Sequence, residues 1–143
     1  MSIWTHVAAT FRVDCVRICG GAVPNFEAIF GKTLNFDDEE EKWNEADNNP
    51  GMYLPLGSEG SLKMSVWEDP HQSMLAAFTV SVFGDLRDYS DIEAIKEWFD
   101  RCCKNTWIRQ AIITAECEAG ESFTGKWCVD KEKTIVFKEG DAI

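Results

Sequence analysis

The strongest constraint on the fold is an alternation of side chains near the start of the chain, over residues 4–13. One set of alternate side chains is mostly apolar, whereas the other contains the charged and polar groups; the first set is Thr5, Val7, Ala9, Phe11 and Val13. A repeat of two residues places one set on each side of a β-strand. The sequence therefore predicts a half-buried strand over residues 4–13.

Two further strands are predicted around a turn signal over residues 57–60, which has the sequence Gly-Ser-Glu-Gly. Residues 52–56 and 61–67 flank this turn, and the second of them alternates between apolar and polar side chains. This arrangement is typical of a β-hairpin. Residues 76–83 alternate in the same way and predict another strand.

The carboxyl-terminal part of the chain contains the run Ala111-Ile112-Ile113, which is apolar at successive positions. Such a run is typical of a strand that is covered on both faces, so residues 108–117 are predicted to form a central strand. Residues 123–129 and 134–138 are predicted to form a last hairpin.

Two helices are predicted from apolar spacing and from end signals. Pro24 and Gly31 bracket a short helix over residues 24–30. Ser90 and Glu93 fit a capping box, in which a hydroxyl and a carboxylate bind the exposed N–H groups at a helix start. The helix that follows covers residues 91–104, and its apolar face consists of Ile92, Ile95, Trp98, Phe99 and Cys102.

The order of these elements predicts a single α+β domain over residues 1–143. We expect an antiparallel or mixed sheet with two helices on one face, in a ferredoxin-like βαββαβ arrangement with an extra strand and a carboxyl-terminal hairpin. The chain shows no internal repeat and no linker composition that would divide it.

The net charge of −11 makes nucleic acid and anionic membrane surfaces poor ligands, because both require an excess of Lys and Arg. No apolar run reaches the roughly 18 residues of a membrane-spanning helix. Since the amino terminus does not resemble a signal peptide, we expect a cytoplasmic protein with six reduced thiols. Cys15, Cys102 and Cys117 are interpreted as small core residues.

Motifs for catalysis, metals and cofactors are absent from the sequence. The cysteine spacings, with Cys19 four residues after Cys15 and with Cys102 next to Cys103, differ from the paired Cys-x-x-Cys of zinc sites. His6 and His71 have no nucleophile signature beside them. We therefore assign no catalytic residue, no metal ligand and no cofactor. Whether one of the six cysteines is reactive stays open, and these are Cys15, Cys19, Cys102, Cys103, Cys117 and Cys128.

More than half of the excess charge lies in one short segment, residues 36–47, which contains seven acids and a single cation, Lys42. The sequence leaves open whether this segment is a loop or a frayed helix. A solvated loop that keeps the protein dissolved is one interpretation. The other is a docking surface for a basic partner, anchored by an aromatic ring, with the binding residues Asp37, Asp38, Glu39, Glu40, Glu41, Trp43 and Glu45.

In its size, its acidity and its Asp37-to-Glu41 run, the chain resembles small anti-defence proteins of phages and mobile elements, of the anti-CRISPR or DNA-mimic type. The resemblance implies a non-enzymatic inhibitor of a basic, nucleic-acid-handling protein. Immunity proteins that neutralise nuclease toxins are similar on the same grounds.

Two other classes stay open at this point. The first is a small enzyme or ligand-binding domain that uses Cys or His. The second is an assembly component that forms homo-oligomers through an edge strand of the last hairpin.

Overall fold

The computed structural model describes residues 2–16, 24–34, 39–69, 75–89, 91–104, 107–128 and 136–139. Its elements follow the order β1 (Trp4–Val16), α1 (Phe26–Phe30), α2 (Glu39–Asn48), β2 (Lys63–Asp69), β3 (Leu75–Arg87), α3 (Ile92–Lys104), β4 (Ile108–Cys117), β5 (Ser122–Cys128) and β6 (Val136–Glu139). Among the described helices, none is long and apolar enough to cross a membrane.

The strands form one sheet in the order β2-β3-β1-β4-β5-β6, and every neighbouring pair is antiparallel. The α+β class predicted from the sequence is confirmed. The sheet differs from the predicted one in its first half, where residues 52–56 form no strand of the sheet. Leu56 makes one isolated antiparallel bridge to Ser61, and Tyr53 makes a parallel bridge to Lys32. The hairpin partner of β2 is therefore β3.

The turn before β2 explains why the predicted hairpin stops short. Gly60 has a φ of +82°, and a Cβ at this position would lie 2.2 Å from the carbonyl oxygen of Asp85. The turn is therefore pressed against the end of β3, a close approach that only glycine permits. The residues of the turn bond to the same end of β3, where the backbone N–H of Ser58 donates to the carbonyl oxygen of Arg87 at 3.0 Å.

One face of the sheet carries the core, because α1 and α3 pack against it. The alternate residues predicted to be buried on β1 are all buried. The ring of Phe11 lies at the centre, with centroid distances of 4.7 Å to Phe30 of α1 and of 5.9 Å and 5.3 Å to Trp98 and Phe99 of α3. Trp98 Nε1 donates a hydrogen bond to the carbonyl oxygen of Phe30 at 2.7 Å, which joins the two helices.

Helix α3 has the amphipathic character that the sequence predicts. At its start the Asp91 carboxylate accepts a hydrogen bond from the backbone N–H of Ala94 at 3.1 Å, which is the role of a helix N-cap. Ser90, the residue predicted to take that role, lies outside the described residues. The buried side chains of the helix are Ile92, Ile95, Trp98, Phe99, Cys102 and Cys103.

The opposite side of the sheet, which we call the open face, has no described helix packed on it. It presents Lys63, Ser65 and Trp67 of β2, Thr79, Ser81 and Phe83 of β3, Ala8, Thr10 and Arg12 of β1, Gln110, Ile112 and Thr114 of β4, and Thr124 and Lys126 of β5. The prediction that β4 is covered on both faces is wrong. Ala111 and Ile113 point into the core, whereas Ile112 points to the open face and is 52% exposed.

Candidate functional site

The acidic segment forms a helix, since α2 begins at Glu39 and runs for ten residues. Of the predicted binding residues, Asp37 and Asp38 and the side chain of Glu39 lie outside the described part of the chain. Glu40 and Glu41 are exposed. Of the two conformations that the sequence leaves open for this segment, the structure has the helix over residues 39–47.

Lys42 determines which charges α2 presents to solvent. Its side chain is buried, and Nζ donates a hydrogen bond to the carbonyl oxygen of Gly57 at 3.0 Å. This bond fastens α2 to the turn before β2. It also removes the single cation of residues 36–47 from the outer surface, so the exposed charges of α2 are carboxylates only.

Trp43 and Glu45 differ in how much of each side chain is available to a partner. Trp43 is 36% exposed, so that part of the indole is accessible. Glu45 accepts hydrogen bonds from Asn49 Nδ2 at 3.0 Å and from the Tyr53 hydroxyl at 2.7 Å. The Tyr53 bond to this carboxylate raises the pKa of the phenol above its ordinary value. Glu45 therefore holds the end of α2 to the chain that follows it.

Sequence reasoning gave no sign of a cluster formed by His6, Asp85 and Glu118. His6 Nδ1 lies 2.6 Å from Asp85 Oδ1, and Nε2 lies 3.0 Å from Glu118 Oε2. These hydrogen bonds raise the pKa of His6, with the bond to Asp85 as the largest cause. The bond from His6, together with one from the backbone N–H of Trp4, lowers the pKa of Glu118. Only the register of β1 against β3 brings His6 opposite Asp85.

A cleft of about 590 Å³ lies between this cluster and α2. Its lining includes Trp4, Lys42, Ser61, Lys63, Phe83 and Asp85. Lys42 is already hydrogen-bonded to a backbone carbonyl, so Lys63 is the cation that the cleft offers to solvent. The cleft is of a size that accepts a small molecule or one large side chain.

The described cysteines carry free thiols at Cys102, Cys103, Cys117 and Cys128. Burial raises the pKa of Cys102 and raises that of Cys103 to about 12, so both thiols are protonated at neutral pH. Cys102 and Cys117 are buried, which confirms their predicted place in the core. The Cys15 side chain, Cys19 and His71 lie outside the described residues, and the Cys128 thiol is half-buried.

Within the part of the chain that the structure describes, no three or more His, Cys, Asp or Glu side chains are arranged to hold a metal ion. The chain matches no protein-family model, no curated protein and no solved structure.

Proposed function

We propose that the protein is a non-enzymatic binding protein that inhibits a basic, nucleic-acid-handling partner, as anti-defence proteins of phages do. The observation that carries this proposal is the inward position of Lys42. Its bond to Gly57 leaves α2 with an outer surface on which the exposed charged groups are carboxylates, including Glu40, Glu41 and Asp47.

This surface suits a groove that normally holds phosphates. Negative charges on one helix attract a basic groove at long range and raise the rate of encounter. The helix is about 15 Å long, so its carboxylates can meet several cations of the groove together. The accessible part of Trp43 would supply an aromatic anchor at the centre of the contact.

Two further features favour binding over catalysis. Cys102 and Cys103 are protonated thiols inside the core, where no substrate reaches them. Both ring nitrogens of His6 are hydrogen-bonded to carboxylates, which favours the doubly protonated ring and leaves no nitrogen to accept a proton.

For the scaffold that presents α2, we propose a ferredoxin-like unit formed by β1, β2, β3 and β4, with β5 and β6 added at one edge. The strand order β2-β3-β1-β4 supports this proposal. The connection from β1 to β2 passes over β3, which lies between them, and the connection from β3 to β4 passes over β1 in the same way.

The proposal is tested with two variants of equal charge, each of which raises the net charge from −11 to −7. Glu40→Lys with Glu41→Lys changes α2, and Glu97→Lys with Glu121→Lys changes exposed positions on α3 and on the turn before β5. Each protein is titrated against purified nucleases with basic substrate grooves, both defence nucleases and nuclease toxins, with affinity and inhibition of DNA cleavage as readouts.

We expect wild type to bind and inhibit one of these classes, and the α2 variant to bind about tenfold or more weakly. The matched variant should stay close to wild type. Equal losses in both variants would mean that only the overall charge matters, and equal affinity of all three proteins would refute the role of α2. The class of nuclease that is inhibited distinguishes an anti-defence protein from an immunity protein.

A further inference from the structure

The open face of the sheet has properties that neither the acidic helix nor its proposed function accounts for. Three large apolar side chains lie on it, and their exposed fractions are 72% for Trp67, 47% for Phe83 and 52% for Ile112. Hydroxyl side chains of Thr and Ser fill much of the surface between them. An apolar and hydroxyl-rich sheet surface is costly to leave in water and is typical of a face that packs on another protein layer.

The charges on this face lie in rows that run across the strands, each row made of paired residues of neighbouring strands. Arg12 lies near one end of β1, and Glu116 of β4 lies opposite His6 near the other end. Neither Arg12 nor Glu116 makes an ion pair with a described residue, and the six residues from His6 to Arg12 separate their rows by about 20 Å. Arg12 and Glu116 therefore cannot pair within one chain.

We propose that the open face is the interface of a homodimer, in which a second copy packs face to face about a twofold axis. This axis runs across the strands and passes between Ala8 and Thr10 of β1. The rotation places Arg12 of each copy over the row of the other copy in which Asp85, His6 and Glu116 are neighbours. Because Asp85 is already hydrogen-bonded to His6, Glu116 is the carboxylate of this row that pairs with Arg12, and two ion pairs form. A twofold axis parallel to β1 would instead place Arg12 of one copy against Arg12 of the other, and these like charges would repel each other.

The same axis provides a place for Trp67. Trp67 lies beside Thr79 on the Arg12 row, and the rotation brings its indole over the end of β2 and β3 in the other copy. The cleft of about 590 Å³, lined there by Lys63 and Phe83, lies at this position. The indole would enter the cleft next to an aromatic ring and an ammonium group, both of which interact favourably with it.

The size and charge of the face favour a second copy over other occupants. The five longer strands contain 50 residues, which at about 16 Å² each give a face of about 800 Å², the usual contribution of one partner to a stable interface. The cations Arg12, Lys63, Lys126 and the protonated His6 are nearly balanced by Asp85, Glu116 and Glu118. A face close to neutral, on a chain of net charge −11, suits another copy better than it suits a polyanion.

The oligomeric state tests this proposal by sedimentation velocity over a wide range of protein concentration. Wild type should reach a mass twice the 16.2 kDa of one chain. Arg12→Glu and Glu116→Arg should each raise the dissociation constant of the dimer by about tenfold or more, because each creates two like-charge contacts. Trp67→Ala should weaken the dimer too, whereas Arg101→Glu, on the exposed side of α3, should leave it unchanged.

An equimolar mixture of Arg12→Glu and Glu116→Arg chains should restore the dimer, because in the mixed pair both contacts join opposite charges. A chain that carries both substitutions should also dimerise. Circular dichroism of every variant verifies the fold. Wild type that stays monomeric at all concentrations would overturn the proposal, and so would a mixture that fails to dimerise. An Arg12-dependent complex of the monomer with a single-stranded oligonucleotide would overturn it in favour of nucleic acid.

Discussion

The two faces of the sheet are built from the same strands but have opposite physical characters. On the covered face Phe11 makes ring contacts with α1 and α3 and has no exposed surface. On the open face, the next residue along β1, Arg12, is exposed and makes no ion pair with the described residues. The difference indicates that most of the stability of the monomer comes from the covered face.

The largest expected effect comes from the same substitution made on each face. Phe11→Ala should lower the free energy of unfolding by about 3–5 kcal/mol, because it leaves a cavity among packed rings. Phe83→Ala on the open face should cost only about 1 kcal/mol, since half of that ring is already in water. Urea denaturation at two protein concentrations measures both values and separates any contribution from association. Equal losses at low concentration would contradict the contrast between the faces.

A smaller effect tests the hydrogen bond that closes the helix layer over the covered face. Trp98→Phe leaves the buried carbonyl of Phe30 without its donor, whereas Nε1 of the buried Trp127 has no hydrogen-bond partner among the described residues. Trp98→Phe should therefore be more destabilising than Trp127→Phe, by about 1–3 kcal/mol in the free energy of unfolding. Because both variants remove the same atoms, an equal cost would show that the bond contributes nothing.

The covered face is the part of the fold that the sequence predicts well. The alternation over residues 4–13 identifies the buried side of β1, and the apolar spacing over residues 91–104 identifies the buried side of α3. Both are local patterns, in which side chains separated by two, three or four positions share an environment. The inward position of Cys102 follows from the same spacing.

The features of the open face depend on strand pairing and therefore escape a local pattern. The apolar run Ala111-Ile112-Ile113 predicts that both faces of β4 are covered. In the strand, however, successive side chains point to opposite faces, so Ile112 lies on the open face between two buried neighbours. His6 meets Asp85 only because β1 and β3 pair in one particular register, 79 residues apart in sequence. In the acidic helix, the burial of Lys42 depends on a carbonyl in a turn 15 residues away.

The smallest expected effect concerns the pH dependence that the His6 cluster gives to stability. Hydrogen bonds to Asp85 and Glu118 raise the pKa of His6 above 6.5, so its contribution is full below pH 6.5 and is lost as the pH rises through the raised value. The lowered pKa of Glu118 gives a contribution that is present above pH 4.5 and is lost as the pH falls through the lowered value. The cluster should therefore stabilise the fold most between these two pH values.

The variant His6→Gln isolates this contribution, because Gln keeps a polar side chain but does not titrate. Wild type should have a higher urea midpoint at about pH 5.5 than at about pH 8.5, and the difference should be smaller in the variant. His71 is present in both proteins, so its titration cancels in the comparison. If His6→Gln keeps the full difference between the urea midpoints at the two pH values, the pH dependence comes from other titrating groups. The hydrogen bonds of His6 to Asp85 and Glu118 would then add nothing measurable to stability.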